Sequence, residues 1–415
     1  MPEPVLPGGS PFRASVLALL LLLITAPAGA ADGALHLPPP GDAPEAWLVT
    51  YAPGDIYWQR FGHNAIWLRD PEQSLDHAFN FGFFDFGQPH FLRRFIMARM
   101  LYLSAAQPAA REFAQYQLEK RTITAQRLNL DQAQYRRLRD HLVRQVQPEN
   151  RDYLYDYYLD NCSTRIRDAL DVALEGAFAE RYRAQPAQQN LREHTRRSVA
   201  ADFWYYLGLE AVLALPVDRK ITAWDEMFLP ARVADSAAAY ATRRGPLAGP
   251  AQLIYASAAA PPPAQPPQVW GRYLAAGLGL ALLFALIARG LGPLMAQASA
   301  LAWLMLTATA GALLLFLWSG TDHVAAGPNV NIVLLNPLYL AGLLPGLRRG
   351  TAWLMLGGLG VAGGQLLFPG HQFNLDLVAF LAPLHLTCTW WLLGRAPDFE
   401  PWFSLPGQGG QTTLS

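Results

Sequence analysis

Nine consecutive residues, Asp160-Asn161-Cys162-Ser163-Thr164-Arg165-Ile166-Arg167-Asp168, concentrate the chemistry of this chain. An aromatic approach through Tyr153, Tyr155, Tyr157 and Tyr158 leads into them. The spacing of Ile166, Ala169, Leu170 and Ala173 predicts a helix that begins at Cys162. A helix start acidifies a thiol, because its free N–H groups and dipole stabilise the thiolate. The same N–H groups can hold an oxyanion. Arg165 and Arg167 add positive charge nearby. A buried structural cysteine is the opposing reading. The flanking Asp, Asn, Ser, Thr and Arg side chains fit a dry core poorly, which favours a nucleophile.

A nucleophilic cysteine needs a base. Of the nine histidines, His36 falls in the N-terminal tail of the mature chain, and His141 and His194 fall in Arg-rich helical stretches expected at the surface. His63 is the strongest candidate. It lies in Phe61-Gly62-His63-Asn64-Ala65-Ile66, at the mouth of a predicted strand where glycine permits close approach. A third group should orient the imidazole. The next strand offers Asn80 or His77, and alternation puts them on opposite faces. Asn80 is preferred, because its amide oxygen can accept the second imidazole N–H. Asn161, Ser163, Tyr51 and Arg165 are the candidates for binding substrate or its oxyanion.

These residues need elements to position them. Leu48-Val49-Thr50-Tyr51, Ala65-Ile66-Trp67-Leu68 and the aromatic stretch 76–86 read as strands. Residues 108–120, 131–146, 162–175 and 198–214 read as helices, with Asp131 as an N-cap and Pro148 as a stop. Residues 31–250 therefore form a mixed α+β domain. A Pro/Ala-rich linker follows over 251–269.

The chain has 415 residues, with 32 basic against 32 acidic side chains, which argues against nucleic acid as a partner. Residues 1–30 read as a secretory signal, with Arg13 before the apolar run 15–26 and Ala28-Gly29-Ala30 as the cleavage site. The exported domain then holds a single cysteine, Cys162, and can form no internal disulfide. Charges almost vanish over 270–394. Five spans are expected, at about 273–288, 298–318, 331–347, 351–367 and 375–394, an all-α transmembrane bundle within a domain covering 270–395. Arg289, Arg348, Arg349 and Arg395 fall on one side and no Lys or Arg on the other. That places the catalytic domain in the periplasm and the tail, 396–415, in the cytoplasm. Asp322, His323, Asn329, Asn331, His371, Asn374 and Asp376 lie in the periplasmic loops. They either solvate helix ends, dock the catalytic domain or bind headgroups. An ion site from Asp322, His323 and His371 has no specific spacing. His385, inside the fifth span, is expected to hydrogen-bond another helix.

The order of His63, then a strand, then Cys162 at a helix start resembles circularly permuted papain-like (NlpC-type) hydrolases and acyltransferases. More narrowly, residues 45–235 resemble the periplasmic domain of Lnb-type lipoprotein N-acyltransferases. The matching stretches are Tyr51-Ala52-Pro53-Gly54-Asp55, Phe61-Gly62-His63, 80–86, Leu128-Asn129-Leu130, 160–168 and Met227-Phe228-Leu229-Pro230. The tail is similar through Thr321-Asp322-His323 and the Asn329/Asn331 pair. The resemblance implies a papain-like domain with Cys162 and His63 in the catalytic roles. It also implies acyl transfer from a membrane phospholipid donor to the N-terminal amine of a diacylglyceryl lipoprotein acceptor. No cofactor is implied: nucleotide, dinucleotide and zinc-ribbon motifs are missing from the sequence. A cysteine peptidase or amidase of cell-wall peptides, using water as the acceptor, is the runner-up. A non-enzymatic envelope protein with a structural Cys162 is the third reading.

Overall fold

A computed structural model describes residues 35–39, 41–84 and 87–394. The expected signal segment, Arg395 and the tail 396–415 lie outside the described residues. The N-terminal domain is built on one antiparallel sheet. Its strands are β1 (Glu45–Tyr51), β2 (His63–Asp70), β3 (Leu75–Phe84), β4 (Leu101–Pro108), β5 (Ile123–Arg127), β6 (Asp152–Leu154) and β7 (Gln252–Tyr255). They lie in the order β6-β4-β3-β2-β1-β5-β7. The three predicted strands form its centre. Strand β7 corrects the linker boundary, since Gln252–Tyr255 pairs with β5 and belongs to the domain.

Alternation along the central strands buries both faces. Trp47, Val49, Tyr51, Ala65, Trp67 and Ala78 face one way, and the helix Ala109–Leu118 covers them through Ala109 and Phe113. Ala46, Leu48, Ile66, Leu68, Phe79 and Phe81 face the other way. Two helices cover that side, Gln132–Gln145 and Cys162–Ala173. In chain order the helices used below are α1 (Phe91–Ile96), α2 (Ala109–Leu118), α3 (Gln132–Gln145), α4 (Cys162–Ala173), α5 (Leu191–Val199) and α6 (Phe203–Val212). The Asp131 side chain caps α3 as expected. The helix expected over 198–214 is shorter, because Asp202 caps a fresh start at Phe203 and α5 precedes it.

The C-terminal region holds α7 (Trp270–Gly290), α8 (Pro293–Gly320), α9 (Arg348–Gly364) and α10 (Leu375–Gly394). Three of these, α7, α8 and α10, are long and apolar enough to cross a membrane. These are the first, second and fifth of the expected spans; α9 covers most of the fourth in 17 residues, and the third is not an α-helix. It is a chain of 3-10 turns, Val330–Val333, Pro337–Leu343 and Pro345–Leu347. Pro337 and Pro345 lack the N–H that an α-helix needs. Irregular backbone beside apolar spans is tolerated where protein encloses it. Gly311 of α8 and Gly358 of α9 press directly on the Leu335 and Val333 backbone, where any side chain would collide. The freed carbonyls find side-chain donors. His385 Nε2–H donates to Leu334 O at 2.8 Å and Tyr339 OH donates to Val333 O at 2.9 Å. Trp303 Nε1–H donates to His385 Nδ1 at 3.3 Å, so His385 links three elements of the bundle.

Candidate active site

Cys162 is the first residue of α4, and it is 9% exposed. The start is fixed by a reciprocal cap. Asn161 Oδ1 accepts from the Ser163 and Thr164 N–H groups, both at 2.9 Å. The Asn161 N–H donates to Thr164 Oγ1 at 2.7 Å. Asn161 Nδ2 donates to the Tyr157 and Phe228 carbonyls, each at 2.9 Å. Among the described residues, the cap leaves the Cys162 N–H as the donor it does not engage at the helix start. Ser163 Oγ lies 3.7 Å from Cys162 Sγ.

His63 is the first residue of β2, opposite Tyr51. Gly62 precedes it at φ +84°, where a Cβ would lie 2.8 Å from the Tyr51 carbonyl oxygen. Glycine is thus required for the chain to enter the strand at this angle. The imidazole Nε2–H donates to Asn80 Oδ1 at 3.0 Å. Asn80 Nδ2 donates in turn to Glu112 Oε2 on α2. Gln107 Nε2 donates to the same oxygen at 3.1 Å, and the Tyr51 hydroxyl donates to Glu112 Oε1. A carboxylate only accepts. Glu112 therefore holds the Asn80 amide with its oxygen towards His63. That places the imidazole proton on Nε2 and leaves Nδ1 for Cys162.

Burial by itself would push the Cys162 thiol up and the His63 imidazolium down. Their mutual hydrogen bond and charge interaction reverses both effects. Cys162 falls below its ordinary thiol value, with help from Ser163 Oγ and the Asn64 backbone N–H. His63 rises above its ordinary value, with help from the Glu112 charge. The two opposite shifts together favour a thiolate–imidazolium pair.

The two halves of the site come from opposite faces of the sheet. His63, Asn80, Tyr51 and Glu112 share the face under α2, whereas Cys162 arrives with α4 from the other. They meet at the strand ends, where β3 bulges between Phe81 and Phe83. Gly82 sits in that bulge at φ +99°. A Cβ there would lie 3.6 Å from Cys162 Cβ, 3.8 Å from Tyr155 Cε2 and 4.0 Å from the Tyr153 hydroxyl. Those are ordinary contact distances, so it is the positive φ that calls for glycine here.

Several expectations change on this geometry. His77 pairs with Leu68 further along the strand and makes none of these contacts, so Asn80 is the partner of His63. Tyr51 is fully buried and its hydroxyl is committed to Glu112, so it supports the site instead of facing substrate. The Asn161 amide is committed to the cap, which rules it out as an oxyanion donor. Arg165 forms a two-point pair with Asp160, at 2.5 and 2.6 Å, and stacks 4.0 Å above the Tyr153 ring. His194 is buried, not on the surface, with Nε2 2.7 Å from Glu226 Oε1. Glu112 was not singled out from the sequence. The signal was a carboxylate on the apolar stripe Ala109, Phe113 and Tyr116 of α2.

Two family models match the chain: the Lnb N-terminal periplasmic domain over residues 41–200, and the Lnb transmembrane domain over residues 274–355. The chain belongs to the Lnb family of apolipoprotein N-acyltransferases. It is an integral membrane protein with a periplasmic N-terminal domain, and a lipoprotein-modifying enzyme of the transferase class. No curated protein and no solved structure matches it. Cys162, His63, Asn80 and Glu112 all lie within the Lnb periplasmic match.

The Lnb periplasmic domain is seated firmly on the helices. The last turn of α6 has carbonyls with no partner in their own helix. Asn331 Nδ2 donates to Glu210 O and Ala211 O, Asn329 Nδ2 to Ala211 O and Val212 O, and Gln372 Nε2 to Leu213 O, all at 2.8–3.2 Å. Asp376 accepts from Tyr206 OH at 2.8 Å and lies 3.3 Å from Arg196. Asp322 pairs with Arg99 at 2.5 Å. Most of the polar loop residues therefore dock the catalytic domain. Half-buried His371 approaches Phe368 O at 2.7 Å and the Phe373 ring, both within its own loop.

Proposed function

We propose that this protein transfers a fatty acyl chain from a membrane phospholipid through a Cys162 thioester to the N-terminal amine of a diacylglyceryl lipoprotein. The observation that carries this reading is the position of the nucleophile relative to the membrane end of the bundle. The space beside Cys162 is walled by Tyr155. The same Tyr155, with Phe95, Met100 and Tyr102, lines a cleft closed by Val324 and Ala325, just after α8. Tyr155 borders both that cleft and the space beside the thiol, so a lipid ester entering from the outer leaflet would reach Cys162 past this ring. Exposed apolar residues border this region: Ile56, Tyr57 and Trp58 in one loop, and Leu92, Phe95 and Ile96 on α1. Tyr57 contacts Tyr205 of α6, the helix docked on the bundle, and Met97 accepts from the Asp322 N–H. Water is a poor surrounding for such patches, and a lipid surface a good one.

In the first half-reaction the Cys162 thiolate attacks the ester carbonyl carbon. The carbonyl electron pair moves to oxygen and then returns, expelling the lysolipid alkoxide. The His63 imidazolium gives that alkoxide its proton. In the second half, neutral His63 takes a proton from the incoming amine as the amine displaces the Cys162 sulfur as thiolate. The amide product is left on the lipoprotein and the thiolate–imidazolium pair is restored. Asn80 keeps the ring in one orientation throughout. The order of His on a strand and Cys at a helix start supports a permuted papain-like catalytic unit. The Arg residues at the end of the bundle remote from this domain, Arg289, Arg348 and Arg349, support a cytoplasmic location for that end and for the C-terminus.

The test is the intact mass of a reporter lipoprotein made with this protein and with its Cys162→Ala variant. The expected result is one added acyl chain with the first and none with the second. Wild-type N-acylation by Cys162→Ala would refute the mechanism. Release of peptides from purified cell wall without lipoprotein acylation would favour a hydrolase.

A further inference from the structure

Arg60, in the loop between β1 and β2, has no side-chain partner among the described residues. The loop that carries it is fixed. A 3-10 turn, Tyr57–Gln59, forms its tip. The Gly54 and Gly62 N–H groups both donate to Gln59 O, at 3.1 and 3.0 Å. Gln59 Nε2 donates to Glu119 Oε2 at 3.0 Å. Phe61 packs against the apolar cluster that joins α6 to the bundle. On this frame Arg60 is half-buried, and its Nε is fully buried without an acceptor. An unmatched buried donor costs about 1–3 kcal/mol, and more when the group is charged. Arg99, Arg165 and Arg196, by contrast, each pair with a carboxylate.

The surroundings of Arg60 name the class of its missing partner. Ile56, Tyr57 and Trp58, just before it, are exposed and apolar or aromatic. Tyr57 meets Tyr205 of α6 at 4.7 Å, and α6 is docked on the bundle. The charge of Arg60 reaches the Tyr205 hydroxyl, which burial holds above its ordinary range and so keeps as a donor. Tyr157 also neighbours Tyr205, and it meets the edge of Tyr155, the ring beside Cys162. Only Phe61 and Gly62 separate Arg60 from His63, at most about 10 Å of extended chain. An unpaired cation thus stands between an apolar rim and the thiol.

We infer that Arg60 binds the phosphate of the lipid donor, so that the site takes glycerophospholipids and reads their phosphate diester. A guanidinium presents paired N–H donors that match two phosphate oxygens. The Tyr205 hydroxyl is a further donor beside it. The glycerol unit that carries this phosphate also carries the acyl esters, so a phosphate held at Arg60 leaves an ester within reach of Cys162. The diester keeps one negative charge whatever alcohol is attached to it. The site therefore favours phospholipid over diacylglycerol and does not choose among headgroups.

This inference rests on the acyl-transfer reading, and one experiment separates the two. Full-length protein, Arg60→Gln and Arg60→Lys are compared in nonionic detergent micelles, whose surface carries no charge. Acylation of Cys162 is followed by intact mass with phosphatidylcholine, phosphatidylglycerol, diacylglycerol of the same chains and a p-nitrophenyl fatty ester. Arg60→Gln should raise the half-saturating concentration of both phospholipids by about 10- to 150-fold, the worth of a hydrogen bond to a charged group. The maximal acylation rate should change little. Reaction with diacylglycerol, the nitrophenyl ester and iodoacetamide should be unaffected. Arg60→Lys should restore part of the affinity, because it keeps the charge and loses the fork. Equal losses on phospholipid and diacylglycerol would overturn the inference, since Arg60 would then only hold the loop. Unaltered phospholipid affinity in Arg60→Gln would overturn it and leave acyl transfer standing. Competition by millimolar inorganic phosphate would mark a site for free phosphate and overturn the lipid assignment. Unaltered protein acylated by the nitrophenyl ester but by no glycerolipid would overturn the phospholipid-donor reading as well.

Discussion

Glu112→Gln is the sharpest perturbation of the positioning network. Glutamine keeps the shape of the side chain but turns one acceptor oxygen into a donor. Three donors, from Tyr51, Asn80 and Gln107, converge on this carboxylate. One of them must lose its acceptor. A donor at the Oε1 position can be met by the Tyr51 hydroxyl turning to accept; at the Oε2 position the relief is a flip of the Asn80 amide, which offers its oxygen to the new donor. Its NH2 then faces His63 Nε2–H, donor against donor. The imidazole loses the bond that fixed its tautomer, and its Nδ1 is no longer held for the Cys162 proton. A hydrogen bond to a charged group contributes about 1.5–3 kcal/mol. Lost from positioning alone, that is roughly a 10- to 150-fold drop in rate. The assay is acyl-enzyme formation from a fatty ester, with thermal unfolding to establish that the fold survives. The pH at which iodoacetamide alkylation half-develops should also rise. Asn80→Ala should give a similar loss, and the double variant little more, because both act through one chain of bonds. An unchanged acylation rate and alkylation profile in Glu112→Gln would refute the network as the device that orients His63.

In the unaltered protein, Cys162 alkylation should persist below the ordinary thiol range, since His63, Ser163 and the Asn64 N–H hold the thiolate. In His63→Ala the half-development pH should move upward as burial acts with less opposition, and a profile unchanged by that substitution would contradict the pairing. Asn331→Leu removes the donor to Glu210 O and Ala211 O in a buried setting. It should cost about 1–3 kcal/mol and expose the α6 C-terminus to faster amide exchange than in the unaltered protein. Leu92→Asp combined with Phe95→Asp should raise KM for a vesicle-borne phospholipid, with little effect on the rate with a detergent-dispersed ester; equal losses on both substrates would count against membrane contact by α1.

Local chemistry made part of the site readable from the chain. The cap at Asn161 acts over three residues, so the helix start at Cys162 follows from its neighbours. Gly62 ahead of His63, and the alternation that offers Asn80, are likewise properties of one strand or one turn. The apolar segments near the C-terminus are legible because the bilayer imposes length and composition on each span by itself. What lay out of reach depends on elements far apart in sequence. Glu112 meets Asn80 and Tyr51 across 32 and 61 residues, and no local pattern fixes which strand faces α2. Strands β4 and β5, which lack a clean apolar alternation, form because the sheet offers them edges to pair with. Asn329 and Asn331 take their meaning from the α6 carbonyls that they cap. The third membrane segment has the composition of a helix, but its prolines and the glycines of α8 and α9 make 3-10 turns the form that packs. Sequence by itself determined where the thiol, its candidate base and the apolar spans lie. Only the tertiary structure decided that thiol and base approach from opposite faces of one sheet, because their meeting depends on a bulge at Gly82 and on packing of α4 against that sheet.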